Sequence, residues 1–179
     1  MPAEPPAGAP MEVFAECADW LVIIGGRAMQ SYGMDRMTYD ADCAIDARDE
    51  PRLRAALATV GYVADEPRTT FARYHHLGQR RPVVDAMLAN ASTFSKMFAA
   101  SSLVTISNSV VRVPAPMHLV AMKLHALKQQ PDRAYKDWPD ICHLLERHRD
   151  QWTRENLEVL AARYASEHYV TELRHRGFL

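Results

Sequence analysis

Residues 21–46 read LVIIGGRAMQSYGMDRMTYDADCAID, and this stretch decides the fold. Leu21–Ile24 is a wholly apolar run stopped by Gly25-Gly26, the pattern of a buried strand and a tight turn. Residues 27–33 fit one or two helical turns closed by Gly33. Asp40–Asp46 then alternates acidic with small or apolar residues, at the two-residue period of a strand.

Asp40 and Asp42 are two apart on that strand, so their side chains share a face. Two adjacent carboxylates resist joint ionisation unless a cation lies between them. Ala41, Cys43 and Ile45 are predicted to face the core, which leaves the aspartates on the other side. Asp85 interrupts a second apolar strand, Val83–Leu88, where a charge is costly unless it is paired or binds metal. Three carboxylates from two strands of one sheet suit Mg²⁺, which takes oxygen ligands and shares its shell with substrate phosphates. Read singly, each has a plainer meaning. A DxD pair also marks a solvated strand end, and Asp85 alone also fits a hydrogen-bonded structural aspartate.

Gly25-Gly26 gives these acids a context. Glycines allow close backbone approach and positive φ, and N–H groups at a turn entering a helix suit anions such as a triphosphate. The spacing is neither GxGxxG nor GxxxxGK[ST], which sets aside the Rossmann and P-loop folds.

Outward from this stretch, residues 11–20 and Glu50–Val60 read as helices, with Gly61 ending the second. Residues 62–65 and 70–77 read as strands. Ser92–Ala100 reads as a helix with Ser92 or Thr93 as N-cap. Leu103–Val113 alternates like a strand around a polar Ser-Asn-Ser. Pro114-Ala115-Pro116 punctuates the chain, and helices are expected over 117–130, 137–149 and 154–176. The expected organisation is a disordered leader over 1–10, a core over 11–113 and a C-terminal helical region over 114–179.

Composition adds limits. The formal net charge is −1, so no global basic field points to nucleic acid. Residues 1–111 hold 10 Lys/Arg against 13 Asp/Glu, and residues 112–179 hold 11 against 9, a faintly basic second part. Cys17, Cys43 and Cys142 are three in number with no CxxC, which suits a reducing cytoplasm rather than a disulfide framework. The Pro/Ala-rich start, MPAEPPAGAP, lacks the organisation of a signal peptide, and no apolar run is long enough to span a membrane. The histidines, including His75-His76, His118, His125, His143 and His148, lack zinc spacing and read as structural or surface groups.

Together, Gly25-Gly26-Arg27-Ala28, Tyr32-Gly33 and Arg36-x-Thr38-x-Asp40-x-Asp42 resemble the opening of the nucleotidyltransferase superfamily. They are most similar to AbiEii/AbiGii-type toxin nucleotidyltransferases. Lys123-Leu124-x-Ala126 and Lys136-Asp137-x-x-Asp140-Ile141 resemble later segments of the same group. The resemblance spans residues ~20 to ~148 and implies an α+β fold, a mixed sheet flanked by helices with a C-terminal helical bundle. It implies transfer of a nucleotide from an NTP, ATP included, to a hydroxyl on RNA, tRNA, a protein or a small molecule such as an antibiotic.

By the same resemblance Asp40, Asp42 and Asp85 would hold Mg²⁺, with two ions expected, and Asp85 would serve as general base. Gly25, Gly26, Arg27, Arg36 and Thr38 would lie along the nucleotide, and Lys123 would reach its triphosphate. An antitoxin partner is a further implication. Many members carry Gly-Ser where this chain has Gly26-Arg27, a departure at the γ-phosphate contact. The rival reading is the same fold kept as a nucleotide-binding or regulatory module without catalysis.

Two further positions carry alternatives. Lys123 lies on the shoulder of the stripe Met117, Val120, Leu124 and Leu127, where its stem can rest on the core and its ammonium extend into a cleft. A surface lysine fits that position too. Asp137-Trp138-Pro139-Asp140 reads as a helix start with Asp137 as N-cap; the alternative is that Asp137 pairs with Lys123 and orients it.

Overall fold

A computed structural model describes residues 8–35, 37–66, 68–78 and 81–179. The chain folds as two compact units that divide after Pro114. Residues 1–7 of the expected leader lie outside the described residues, and its last three, expected to be disordered, open the first helix instead.

The first unit is built on a five-stranded mixed sheet. Helix α1 (Gly8–Glu16) leads into β1 (Leu21–Ile23), α2 (Gly25–Ser31) and β2 (Ala41–Asp46). Then come α3 (Glu50–Ala58), β3 (Tyr62–Ala64), β4 (Phe71–His76), β5 (Val84–Ala89) and α4 (Ala91–Ala99). The strand order is β1-β2-β5-β4-β3. Only the central pair, β2 with β5, is parallel; the β1–β2, β4–β5 and β3–β4 pairs are antiparallel. A parallel neighbour needs a long crossover, and here the crossover contains α3, β3 and β4. A separate hairpin, β6 (Ser102–Ile106) with β7 (Ser109–Val113), turns at Ser107-Asn108 with φ of 49° and 66°. Positive φ at both central residues is the type I′ geometry that matches strand twist, and it gives the polar Ser-Asn-Ser its role.

The core follows the apolar runs. Leu21, Val22 and Ile23 of β1, Cys43 and Ile45 of β2, and Ala86 of β5 are all nearly inaccessible. Ala44, on the opposite side of β2 from Cys43 and Ile45, is buried as well, so beyond Asp42 this strand is covered on both faces. The half-buried alternation read from DADCAID therefore holds only at its first residues.

The second unit is helical: α5 (Pro116–Gln129), α6 (Ala134–Arg147), α7 (Arg154–Tyr164) and α8 (Glu167–His175). Several boundaries differ from the sequence expectations; α1, for one, spans Gly8–Glu16 where 11–20 was expected. The continuous helix over 154–176 is broken because Ala165 and Ser166 are both extended, with ψ of 159° and 163°. No glycine or proline marks that break. The N-cap of α4 is Asn90, whose Oδ1 accepts from the Thr93 N–H at 2.9 Å, rather than Ser92 or Thr93. Helix α6 begins at Ala134, three residues before Asp137, and carries Pro139 in its interior. Asp137 is thus inside the helix and is not its N-cap. No helix among the described residues is long and apolar enough to cross a membrane.

Candidate functional site

The glycine bend belongs to the helix itself. Helix α2 starts at Gly25, directly after β1, and Gly25 takes φ +62°. A β-carbon there would run into the Asp42 carboxylate. A β-carbon on Gly26 would lie 2.6 Å from Thr38 Oγ1. The two glycines are therefore required by two residues of the acidic segment, whose side chains pack onto the bare backbone. The Ile24 N–H donates to the Asp42 carbonyl at 2.9 Å and fixes the same junction. Below it, the Tyr32 hydroxyl donates to the Pro114 carbonyl at 2.6 Å and ties the end of α2 to the end of the unit. Arg27, in the first turn of α2, holds its Nε buried without a hydrogen-bond partner.

The acidic side chains follow from sheet register. Asp42 of β2 and Asp85 of β5 are paired neighbours on adjacent parallel strands, so they share a face. Arg73 of β4 is the register partner of Asp85 on its other side. The row therefore runs Asp42, Asp85, Arg73 across three strands. Arg73 Nε and Nη2 both donate to the Asp85 carboxylate, each at 2.8 Å. This bidentate bond, with the charges of Asp85, Asp40 and Asp65, raises the Arg73 pKa above its ordinary value. Asp40 lies on an exposed bend one residue before β2. Cys43, buried between β1 and β5, has its thiol pKa pushed well up by burial, then by the charge of Asp42 and, more weakly, of Cys17 and Asp85.

Arg73 went unread at the sequence level. The alternation in FARYHH puts Phe71, Arg73 and His75 on one face, but only the β4–β5 register reveals what faces Arg73. Among the described residues no three His, Cys, Asp or Glu side chains are drawn together as a metal cluster. Asp42 and Asp85 share a sheet face, Asp40 lies on the bend before β2, and the three carboxylates are not gathered into one cluster; as oxygen donors they are of the type that suits a hard divalent ion. A guanidinium already rests on one of them as an organic cation.

Thr38 is half-buried on the loop before β2, and its hydroxyl donates to the Asp40 carbonyl at 3.4 Å. Arg36 lies outside the described residues.

Lys123 belongs to the helical unit and is buried on α5. Its ammonium is 2.9 Å from Asp137 Oδ1 and 2.6 Å from Asp140 Oδ2, both fully buried on α6. Arg133, four residues before Asp137, donates to Asp137 Oδ2 at 2.7 Å. Burial alone would raise the Asp137 pKa; Lys123 and Arg133 together hold it below its usual value. The Lys123–Asp137 pair is thus present, inside a four-residue charge cluster. Cys17, Cys43 and Cys142 are buried free thiols.

No family model matches the chain, and no curated protein matches it in sequence. Solved structures do match. The antibiotic-resistance factor ANT(2'')-Ia, in complex with adenylyl-2''-tobramycin, covers 86% of this chain and 92% of its own length at 15% identity, with a TM-score of 0.65. The fold is nucleotidyltransferase-like. Two other proteins share this fold at lower similarity. The Megavirus polyadenylate synthase covers 77% of this chain and 30% of its own, at 13% identity and a TM-score of 0.53. The lincosamide adenylyltransferase LnuA, bound to lincomycin, covers 69% and 84%, at 13% identity and a TM-score of 0.50. At such identities the nucleotidyltransferase-like fold is what is shared, and the chemistry must be argued from this chain's own residues.

Proposed function

We propose that this chain is a Mg²⁺-dependent nucleotidyltransferase that moves a nucleotide from an NTP to an acceptor hydroxyl and releases pyrophosphate. The observation that carries this reading is the Asp42–Asp85 register pair, with the Asp42 carboxylate seated on the Gly25 bend. Two neighbouring carboxylates on one sheet face favour a cation between them. In this reading Asp40, Asp42 and Asp85 hold the metal. Mg²⁺ held there would supply positive charge to offset the negative charge of the reacting phosphates during displacement at the α-phosphorus.

The chain's own residues supply the rest. Asp85 is the proposed base, its carboxylate oxygens being those that Arg73 contacts in this structure. The backbone N–H groups of Gly25-Gly26-Arg27 and the Arg27 guanidinium are proposed to hold phosphate oxygens, with Thr38 and Arg36 alongside. Lys123 is the proposed triphosphate contact; Asp137 takes one of its three N–H donors, and Asp140 Oδ2 lies at ion-pair distance.

The acceptor in this proposal is a hydroxyl on RNA, tRNA or a protein, as for a toxin with an antitoxin partner. One observation favours a second reading, an antibiotic hydroxyl: the neighbour that aligns over 92% of its own length carries an adenylylated aminoglycoside. The deciding assay incubates the protein with Mg²⁺ and each α-labelled NTP, against total tRNA and an aminoglycoside panel. Label should enter one acceptor class and fall by on the order of 10³-fold in Asp42→Asn. Undiminished labelling in Asp42→Asn would overturn the site. Nucleotide binding without transfer to any acceptor would point instead to a regulatory binding module.

A further inference from the structure

The proposed metal site already holds one cation. The Arg73 guanidinium makes two 2.8 Å contacts to the same Asp85 oxygens that a divalent ion would need. Arg73 is half-exposed, at 51%, while Asp85 is mostly covered, at 16%. An ion pair this open contributes little to folding, about 0–1 kcal/mol, so stability alone does not account for a bidentate clasp at this position. Its surroundings are acidic: Asp85 first, then Asp40 and Asp65, act on its charge. Phe71, on the same strand face, lies under the guanidinium at 5.6 Å, which offers the freed side chain a resting surface.

Resting on the nucleotidyltransferase reading, we infer that Arg73 is a built-in counter-ion that competes with the divalent metal for Asp85 and is released when polyphosphate arrives. A guanidinium recognises phosphate with the same two-pronged geometry it uses on carboxylate. An incoming triphosphate therefore gives Arg73 a new partner at the moment its old one is needed for metal. The consequence is coupling: metal and nucleotide each bind better when the other is present. In this account Arg73 acts on the metal through Asp85 and, once released, contacts the polyphosphate itself.

The test is Mn²⁺ binding by electron paramagnetic resonance, with and without a non-hydrolysable α,β-methylene NTP analogue. Without nucleotide, Arg73→Gln should bind Mn²⁺ about tenfold more tightly than wild type, because a neighbouring positive charge and a competing ligand are both gone. Arg73→Lys, which keeps the charge but loses the fork, should fall between. In wild type the analogue should tighten Mn²⁺ binding, and in Arg73→Gln it should do so less. In an Asp85→Asn background, Arg73→Gln should tighten Mn²⁺ binding clearly less, because only the through-space charge effect is left. Unchanged or weaker Mn²⁺ binding in both Arg73 variants, with thermal melting showing them folded, overturns the inference. If Arg73→Gln fails to fold, the Arg73→Lys result decides alone. Tighter Mn²⁺ binding together with no nucleotide transfer would sink the transferase reading and leave the counter-ion intact; transfer with unaltered Mn²⁺ affinity would do the reverse.

Discussion

Two charge clusters, one in each unit, use the same groups in opposite ways. In the sheet, Asp42, Asp85 and Arg73 form a row whose arginine is half in solvent. In the helical unit, Lys123, Asp137 and Asp140 are at most 8% exposed and close on one another, with Arg133 reaching in from the edge. The first cluster is reached by solvent at its arginine. The second is buried, with both carboxylates at ion-pair distance from an ammonium that is itself covered. Water sets this difference, because an exposed pair is weak and exchangeable whereas a buried one cannot lose a member cheaply.

Breaking the buried cluster should produce the largest effect on stability. Asp137→Ala removes the one carboxylate that both Lys123 and Arg133 contact. It leaves the Lys123 ammonium buried with a single partner. A loss of about 3–5 kcal/mol is expected, read as a lower denaturation midpoint at unchanged slope. Asp85→Ala in the open row should cost no more than about 1 kcal/mol of stability. Equal losses at the two sites would erase the distinction between them.

Two glycines sharpen the comparison at smaller scale. Gly25 and Gly177 both have positive φ, +62° and +72°. A methyl group on Gly177 meets nothing within 4 Å, whereas on Gly25 it strikes the Asp42 carboxylate. Gly177→Ala should therefore cost only the backbone conformation, about 1–2 kcal/mol. Gly25→Ala should cost more and displace Asp42 as well, so it should also weaken Mn²⁺ binding. Equal unfolding losses with unchanged Mn²⁺ affinity would mean that Asp42 has another seat.

How far the sequence was legible follows the same line between local and non-local information. Strand β1, the acidic strand and the helices of the second unit were readable because apolar period and punctuation are local signals. Register is not local. Nothing in the order of residues says that Arg73 faces Asp85, or that Asp42 and Thr38 fill the space left by Gly25 and Gly26. The start of α6 was misplaced because Asp137-Trp138-Pro139 carries strong capping chemistry, and the helix runs through it: Asp137 is held by Lys123 of another helix, a tertiary contact that overrode local preference. The break at Ala165-Ser166 is the converse, a change of direction with no breaker residue to announce it.

Asp46, in the first unit, is intermediate in exposure between Asp85 and Asp137 and offers the smallest test. Its side chain is 8% exposed, yet its partner Arg48 is 80% exposed. Arg48 donates from Nε at 3.0 Å and Nη2 at 2.7 Å, and its backbone N–H donates at 3.0 Å. These bonds pull the Asp46 pKa down to about 2. A carboxyl depressed on folding stabilises the folded state above its unfolded pKa of about 3.9, and that contribution fades as pH falls through the folded value. Wild type should therefore exceed Asp46→Asn in stability at neutral pH, and the gap should close between about pH 4 and pH 2. Because solvent reaches Arg48, the gap should be smaller than for Asp137→Asn, where both cations lie against a fully buried carboxylate. A gap that stays constant down to pH 2 would mean that Asp46 acts by shape and hydrogen bonding, which an asparagine loses at every pH, and not by its charge.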